Sequence, residues 1–211
     1  VDQLLDTTAT PAPTDAVFAI GDLPCLLGME RIDQIPPPLP LIPLPEWQEK
    51  IRRRLSEAGP PPYLGVTWRA GTPRDELSLY KEAPQQRLAQ LLRECPATIL
   101  VLQRKPEPGE IEAFSRMLGR SAHDLSTLNE DLEQILALLS LIDEYVGVSN
   151  TNMHLRAGAG KTARVLVPTP PEWRWMAEGN ESPWFPGFGV YRQRYDGSWD
   201  EAFDMLATDL K

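Results

Sequence analysis

The sequence predicts an α/β fold built on a doubly wound, mainly parallel, Rossmann-like sheet. Three observations predict it. Runs such as ATILVLQ at 97–103 are apolar without alternation, so they are expected to be covered on both faces. From Tyr63 onward such runs alternate with segments of helical period. The run ending in Tyr145-Val146-Gly147-Val148 also passes through four small polar residues directly into a helical pattern, which makes a strand–turn–helix unit.

Taken in order, residues 1–16 are polar and expected to be poorly ordered. AVFAI at 16–20 reads as a short buried strand, and DLPCLL at 22–27 as a half-helix capped by Asp22 and stopped at Gly28. The proline run PPPLPLIPLP at 36–45 cannot continue a helix or a central strand. With Leu39, Leu41, Ile42 and Leu44 interleaved, it reads as a stiff connector packed on the body; the alternative is an SH3-type ligand. A helix follows from Pro45 to about 58, with Ile51 and Leu55 on one face. Six strands are expected at 63–69, 97–103, 121–125, up to 148, 163–167 and 190–194. Helices are expected at 83–94, 108–118, 131–141, after Val148, and at 199–210, with Pro108 opening the second of them. An aromatic loop fills 168–188. The chain divides on this reading into 1–45 and 46–211.

Composition narrows the function. With 21 Lys and Arg against 30 Asp and Glu, the net charge is -9, which disfavours a nucleic-acid or anionic-membrane surface. The basic run Arg52-Arg53-Arg54 is short and reads as a solvated helix face. Cys25 and Cys95 are isolated, so both are expected to be buried, free thiols of a cytoplasmic protein. His123 and His154 are far apart and make no zinc spacing. No apolar run approaches the roughly 18 residues that a spanning helix needs. The segment VDQLLDTTATPAP has neither the basic nor the apolar region of a signal peptide.

The stretch from Ile142 to Thr162 carries the chemistry. Ser149, Asn150, Thr151 and Asn152 suit an N-cap, whose oxygens accept from the first N–H groups of the helix they open. Such a helix start turns donors and a positive dipole end toward the C-terminal edge of the sheet, where open α/β sheets bind ligands. The reading is an anion or nucleotide-sugar seat; the plain alternative is an ordinary capped turn. Gly158-Ala159-Gly160-Lys161-Thr162 imitates the end of a P-loop, but Leu155 stands where its first glycine belongs, and the segment ends a helix instead of opening one. It reads as a C-cap. The dinucleotide fingerprint G-x-G-x-x-G is also absent after the first strand, where the chain runs Trp68-Arg69-Ala70-Gly71-Thr72.

The most distinctive text is PEWRWMAEGNESPWFPGFGVYRQR at 171–194. Its Trp173-Arg174-Trp175, Ser182-Pro183-Trp184-Phe185-Pro186 and Arg192-Gln193 resemble the C-terminal part of glycosyltransferase-like proteins found behind tetratricopeptide repeats, relatives of the lipopolysaccharide heptosyltransferases of glycosyltransferase family nine. Gly65-Val66-Thr67-Trp68-Arg69-Ala70-Gly71 looks like their first donor-lobe strand and loop, and Ile99-Leu100-Val101-Leu102-Gln103 like their second. The likeness runs from about Val17 to the C-terminus and implies a GT-B architecture, whose C-terminal lobe binds a nucleotide-sugar without a metal or other cofactor. Residues 1–45 would then be the tail of a first lobe plus the connector, and 46–211 the nucleotide-sugar-binding lobe. An acceptor lobe or repeat domain would be a further partner, and the chain by itself is expected to transfer no sugar. In the family the helix start reads roughly Asp-Thr-Gly-x-x-His-Leu-Ala. Here His154 and Leu155 match, but Ser149 stands in place of the Asp.

Sugar transfer needs a stabilised diphosphate leaving group, which cations and helix-start N–H groups can supply. The candidate donor-binding residues are Trp68, Arg69, Gly71, Lys81, Gln103, Arg104, Ser149, Asn150, Thr151, Asn152 and His154. Arg69 and Lys81 are candidates for the phosphates, Gln103 and Arg104 for the base or ribose, and His154 for a phosphate or the sugar. Trp173, Arg174 and Trp175 are candidates for the cleft wall; the alternative for their aromatic rings is a packed loop. Three classes follow: a transferase donor lobe, a degenerate binding lobe, and a structural module of a larger repeat protein.

Overall fold

The computed structural model describes residues 16–71 and 80–210, and the expectation for the first 15 residues falls outside them. The chain forms two units, which meet between Pro36 and Pro37. In the first, residues 16–19 are irregular, a 3-10 turn spans Ile20–Asp22 and a short helix α1 spans Leu23–Leu26. The buried strand expected at 16–20 is not there: Val17 is 86% exposed and Phe18 59%. A strand is held by a neighbour's ladder, and these five residues have none among the described pairings. Asp22 occupies the N-cap position of α1, but its side chain makes no capping bond. Cys25 in this helix is exposed and Cys95 is half-buried, so neither thiol is buried as expected.

The second unit is the α/β fold that the sequence predicts. Its connector docks through Leu41, whose N–H donates to the Gly158 carbonyl at 2.8 Å. A Cβ on Gly158 would come within 2.6 Å of the Leu41 side chain, so this contact needs a glycine. Leu39 and Ile42 remain exposed, so only part of the run packs. Helix α2 covers Pro45–Ala58 and buries Ile51 and Leu55. Strand β1, Tyr63–Thr67, precedes a small antiparallel ribbon of β2, Arg69–Ala70, with β3, Lys81–Glu82. There follow α3 (Gln85–Leu92), β4 (Thr98–Val101), α4 (Glu110–Leu118), β5 (His123–Asp124), α5 (Leu132–Leu141), β6 (Glu144–Val148), α6 (Thr151–Gly158), β7 (Arg164–Val167), β8 (Gly189–Arg192) and α7 (Asp200–Asp209). The expected strand at 63–69 thus divides at Trp68, where the Gln103 side chain takes the N–H groups of both Trp68 and Arg69.

The main sheet runs β5-β4-β1-β6-β7-β8, with every pair parallel. Counting its strands from first to sixth, the order is 3-2-1-4-5-6, the doubly wound pattern, and its reversal point lies between β1 and β6. Alternate strand residues feed two cores. Leu64, Val66, Ile99, Val101, Val146 and Val148 meet α3, α4 and α7 on one face. Leu100, Leu102, Tyr145 and Val165 meet α2, α5 and the aromatic loop on the other. No helix among the described residues is long and apolar enough to cross a membrane.

Candidate functional site

At the reversal point the strand ends part and leave a cleft of about 630 Å³. Its floor is polar and braced. The Tyr145 hydroxyl donates to Thr67 Oγ1 at 2.9 Å, and Asn150 Nδ2 donates to that same phenol oxygen at 3.0 Å. Burial pushes the Tyr145 phenol up, against the bonds from Thr67 and Asn150. Asn150 caps α6 as expected, with Oδ1 accepting from the Asn152 N–H at 2.8 Å. Asn152 in turn donates to Asn129 at 3.1 Å. The helix start is therefore fixed in place by side chains from three different elements.

The walls carry the charge. Arg69, Lys81, Arg104, Lys105 and Arg174 line the cleft against one lining carboxylate, Glu107, so its surface is cationic although the chain is acidic. Arg69 forms a fork with Glu110, with Nη2–Oε2 at 2.5 Å and Nε–Oε1 at 3.1 Å. That carboxylate raises the guanidinium. Burial opposes the Glu110 carboxylate, but Arg69, the Trp68 indole and the Glu107 N–H outweigh it and hold it low. Lys81 and Arg174 both donate to one oxygen of Glu172, at 3.1 and 2.9 Å. Burial also opposes Glu172, yet the Ser149 hydroxyl, Lys81 and Arg174 keep it below the ordinary carboxylate value. Its second oxygen is buried and meets no donor at hydrogen-bond geometry. His154 stands one turn into α6, edge-on to Phe185 with centroids 5.0 Å apart. Desolvation, then Arg174 and Lys81, lower its imidazole, while Glu172 works the other way.

The structure brings Arg69, Gly71, Lys81, Gln103, Arg104, Ser149, Asn150, Thr151, Asn152, His154 and Arg174 into this one cleft. Gln103 is a backbone clamp within it: Oε1 accepts from Trp68 and Arg69, and Nε2 donates to the carbonyls of Arg69 and Arg104. The indoles lie elsewhere. Trp68 is buried and stacked on Phe114 at 4.8 Å, and Trp175 is buried and stacked on Phe185 at 4.5 Å. Trp173 is exposed, edge-on to Trp184. Sequence reasoning missed Thr67, Asn129, Glu110 and Glu172. Only Glu172 carried a local signal, since it adjoins the Trp-Arg-Trp motif. A larger hollow of about 730 Å³ opens at the ends of β7 and β8. Its Arg192 is committed to the carbonyls of Trp175, Met176, Glu178 and Gly179 and so braces the loop above it.

No family model matches the chain. It is 24% identical over 168 residues to Protein FlbA of Caulobacter vibrioides, an alignment covering 76% of this chain and 27% of that protein. The chain thus spans about a quarter of the curated relative's length. Among solved structures it is similar to a glycosyl transferase family 9 protein from Veillonella parvula, with a TM-score of 0.54 and 13% identity, over 74% of this chain and 42% of that one. The likeness is one of fold. What the topology and this neighbour share is a GT-B-like Rossmann fold with a parallel sheet.

Proposed function

We propose that the cleft seats the diphosphate of a nucleotide-sugar, as the donor-binding lobe of a glycosyltransferase-like protein. One observation carries the reading. Arg69, Lys81 and Arg174, from separate segments, converge on the capped start of α6 at the sheet's reversal point. Helix-start N–H groups and guanidinium or ammonium donors are the groups that stabilise diphosphate charge, and the volume suits a nucleotide-sized ligand. His154, whose imidazole is lowered by burial and by Arg174 and Lys81, is a hydrogen-bond partner for a phosphate or sugar oxygen. The cations do the work assigned to a metal in other phosphate sites, so binding is expected without one.

Calorimetry with ADP, UDP and GDP, each with and without magnesium, tests the reading. Saturable heat with at least one of them, indifferent to magnesium, is expected. Silence with all three at millimolar concentration would favour a structural module of a larger protein. That second reading draws on Ser149, a hydroxyl at the helix start where the resemblance places a carboxylate.

A further inference from the structure

We propose that Glu172 is a positioning residue that sets which diphosphates the cleft prefers: it favours a diphosphate capped by a sugar over one with a free terminal phosphate. The inference rests on the nucleotide-sugar reading above.

Glu172 stands behind the cleft lining and acts through the two cations it holds. Lys81 arrives from the β2–β3 ribbon and Arg174 from the 3-10 turn Trp173–Trp175, and one carboxylate oxygen fixes both, at 3.1 and 2.9 Å. The three side chains are 12%, 26% and 17% exposed, so solvent screens them only in part. Around the helix start the inner charges are Arg69, Lys81 and Arg174 against Glu110 and Glu172, three positive less two negative, which leaves one. Of the other charges lining the cleft, Arg104 is 62% exposed and leans toward Glu130, and Lys105 and Glu107 are exposed and opposite in sign, so these three lie outside this set. The α6 dipole adds a fraction of a positive charge.

A sugar-capped diphosphate carries one charge on each phosphate. A free nucleoside diphosphate carries nearly one more at neutral pH, because the second ionisation of its terminal phosphate lies near about 6. A charge brought into a partly desolvated site without a partner is unfavourable. With Glu172 ionised, the seat has little positive charge left for that additional negative one. Glu172 thereby penalises the free terminal phosphate without touching the ligand.

The test takes whichever nucleoside diphosphate the parent chain binds most tightly, together with its glucose ester, and measures both dissociation constants in the parent, Glu172→Gln, Glu172→Asp and Arg174→Gln. Removing one charge at this range changes binding by an order of magnitude. Glu172→Gln is therefore expected to shift the affinity ratio toward the free diphosphate by roughly tenfold. Glu172→Asp should retain the parent ratio. Arg174→Gln, which removes a positive charge, should shift it the other way and serves where Glu172→Gln does not fold. Both ligands weakening equally, with the ratio unmoved, would reduce Glu172 to a brace and overturn the inference. A parent chain that binds neither ligand removes the nucleotide-sugar reading itself, and the inference with it.

Discussion

The two ends of α6 treat positive charge in opposite ways. At the C-terminal end, Arg156 is 1% exposed and, among the described residues, forms no ion pair with a carboxylate. It donates to the carbonyls of Leu139, Ile142, Asp143 and Thr162 and so ties the end of α5 and the start of β6 to the turn after α6. A cation suits that end of the helix dipole. At the N-terminal end, Lys81 and Arg174 share one carboxylate and face an open cleft. An arginine whose donors all end on main-chain carbonyls is a brace. Two cations sharing one carboxylate beside a helix start leave a charge for a ligand to meet. By the same criterion, Arg192 in the larger hollow is a brace, and that hollow is the weaker candidate.

The comparison breaks most visibly at Arg156. Arg156→Ala would strip several buried carbonyls, each losing about 1–3 kcal/mol when left unpaired. It should destabilise the fold by about 3–5 kcal/mol, read as a shift in a denaturant-unfolding midpoint. A loss below about 1 kcal/mol would mean that water takes over the carbonyls and that the brace is an illusion.

His154 sharpens the other end. Its folded-state value is depressed, so the folded chain binds fewer protons than the unfolded one near the ordinary value of 6.5. The stability it contributes is therefore complete above that value and is lost as pH falls below it and through the lower folded-state value. His154→Gln should flatten the fall in stability between mildly alkaline and mildly acidic pH. An unchanged slope would place the ring in solvent and outside the field of Arg174 and Lys81.

The smallest effect is expected at Arg104. Its pairing with Glu130 is 3.6 Å long and exposed on both sides, so Arg104→Ala should change stability by no more than about 0.5 kcal/mol. A larger loss would show that the rim is braced like Arg156.

Much of the fold was legible because its signals are local. Doubly apolar runs and helical periods gave the six parallel strands, and Ser149 to Asn152 announced the cap that Asn150 makes. The P-loop imitation resolved as expected. Gly160 takes φ +70 after α6 while Lys161 donates to the Arg156 carbonyl, a helix stop. Trp68 was misjudged although period-two alternation with Leu64 and Val66 points it into the same core. Residues 16–20 look apolar enough for a strand, but no sequence window reveals a missing ladder partner. Glu172 adjoins the Trp-Arg-Trp motif, but its role was not legible for a related reason: its bond to Lys81 spans 91 residues, and such pairings are written in the fold alone.

The central claim is that Lys81 and Arg174 serve a ligand while Arg156 and Arg192 serve the chain. It is tested most directly by titrating a nucleoside diphosphate into the parent and into Lys81→Ala. A charge-assisted phosphate contact contributes about 1.5–3 kcal/mol. The account predicts saturable binding in the parent, weakened in the variant by about tenfold or more. Undiminished binding in Lys81→Ala, or a parent that binds nothing, would contradict it.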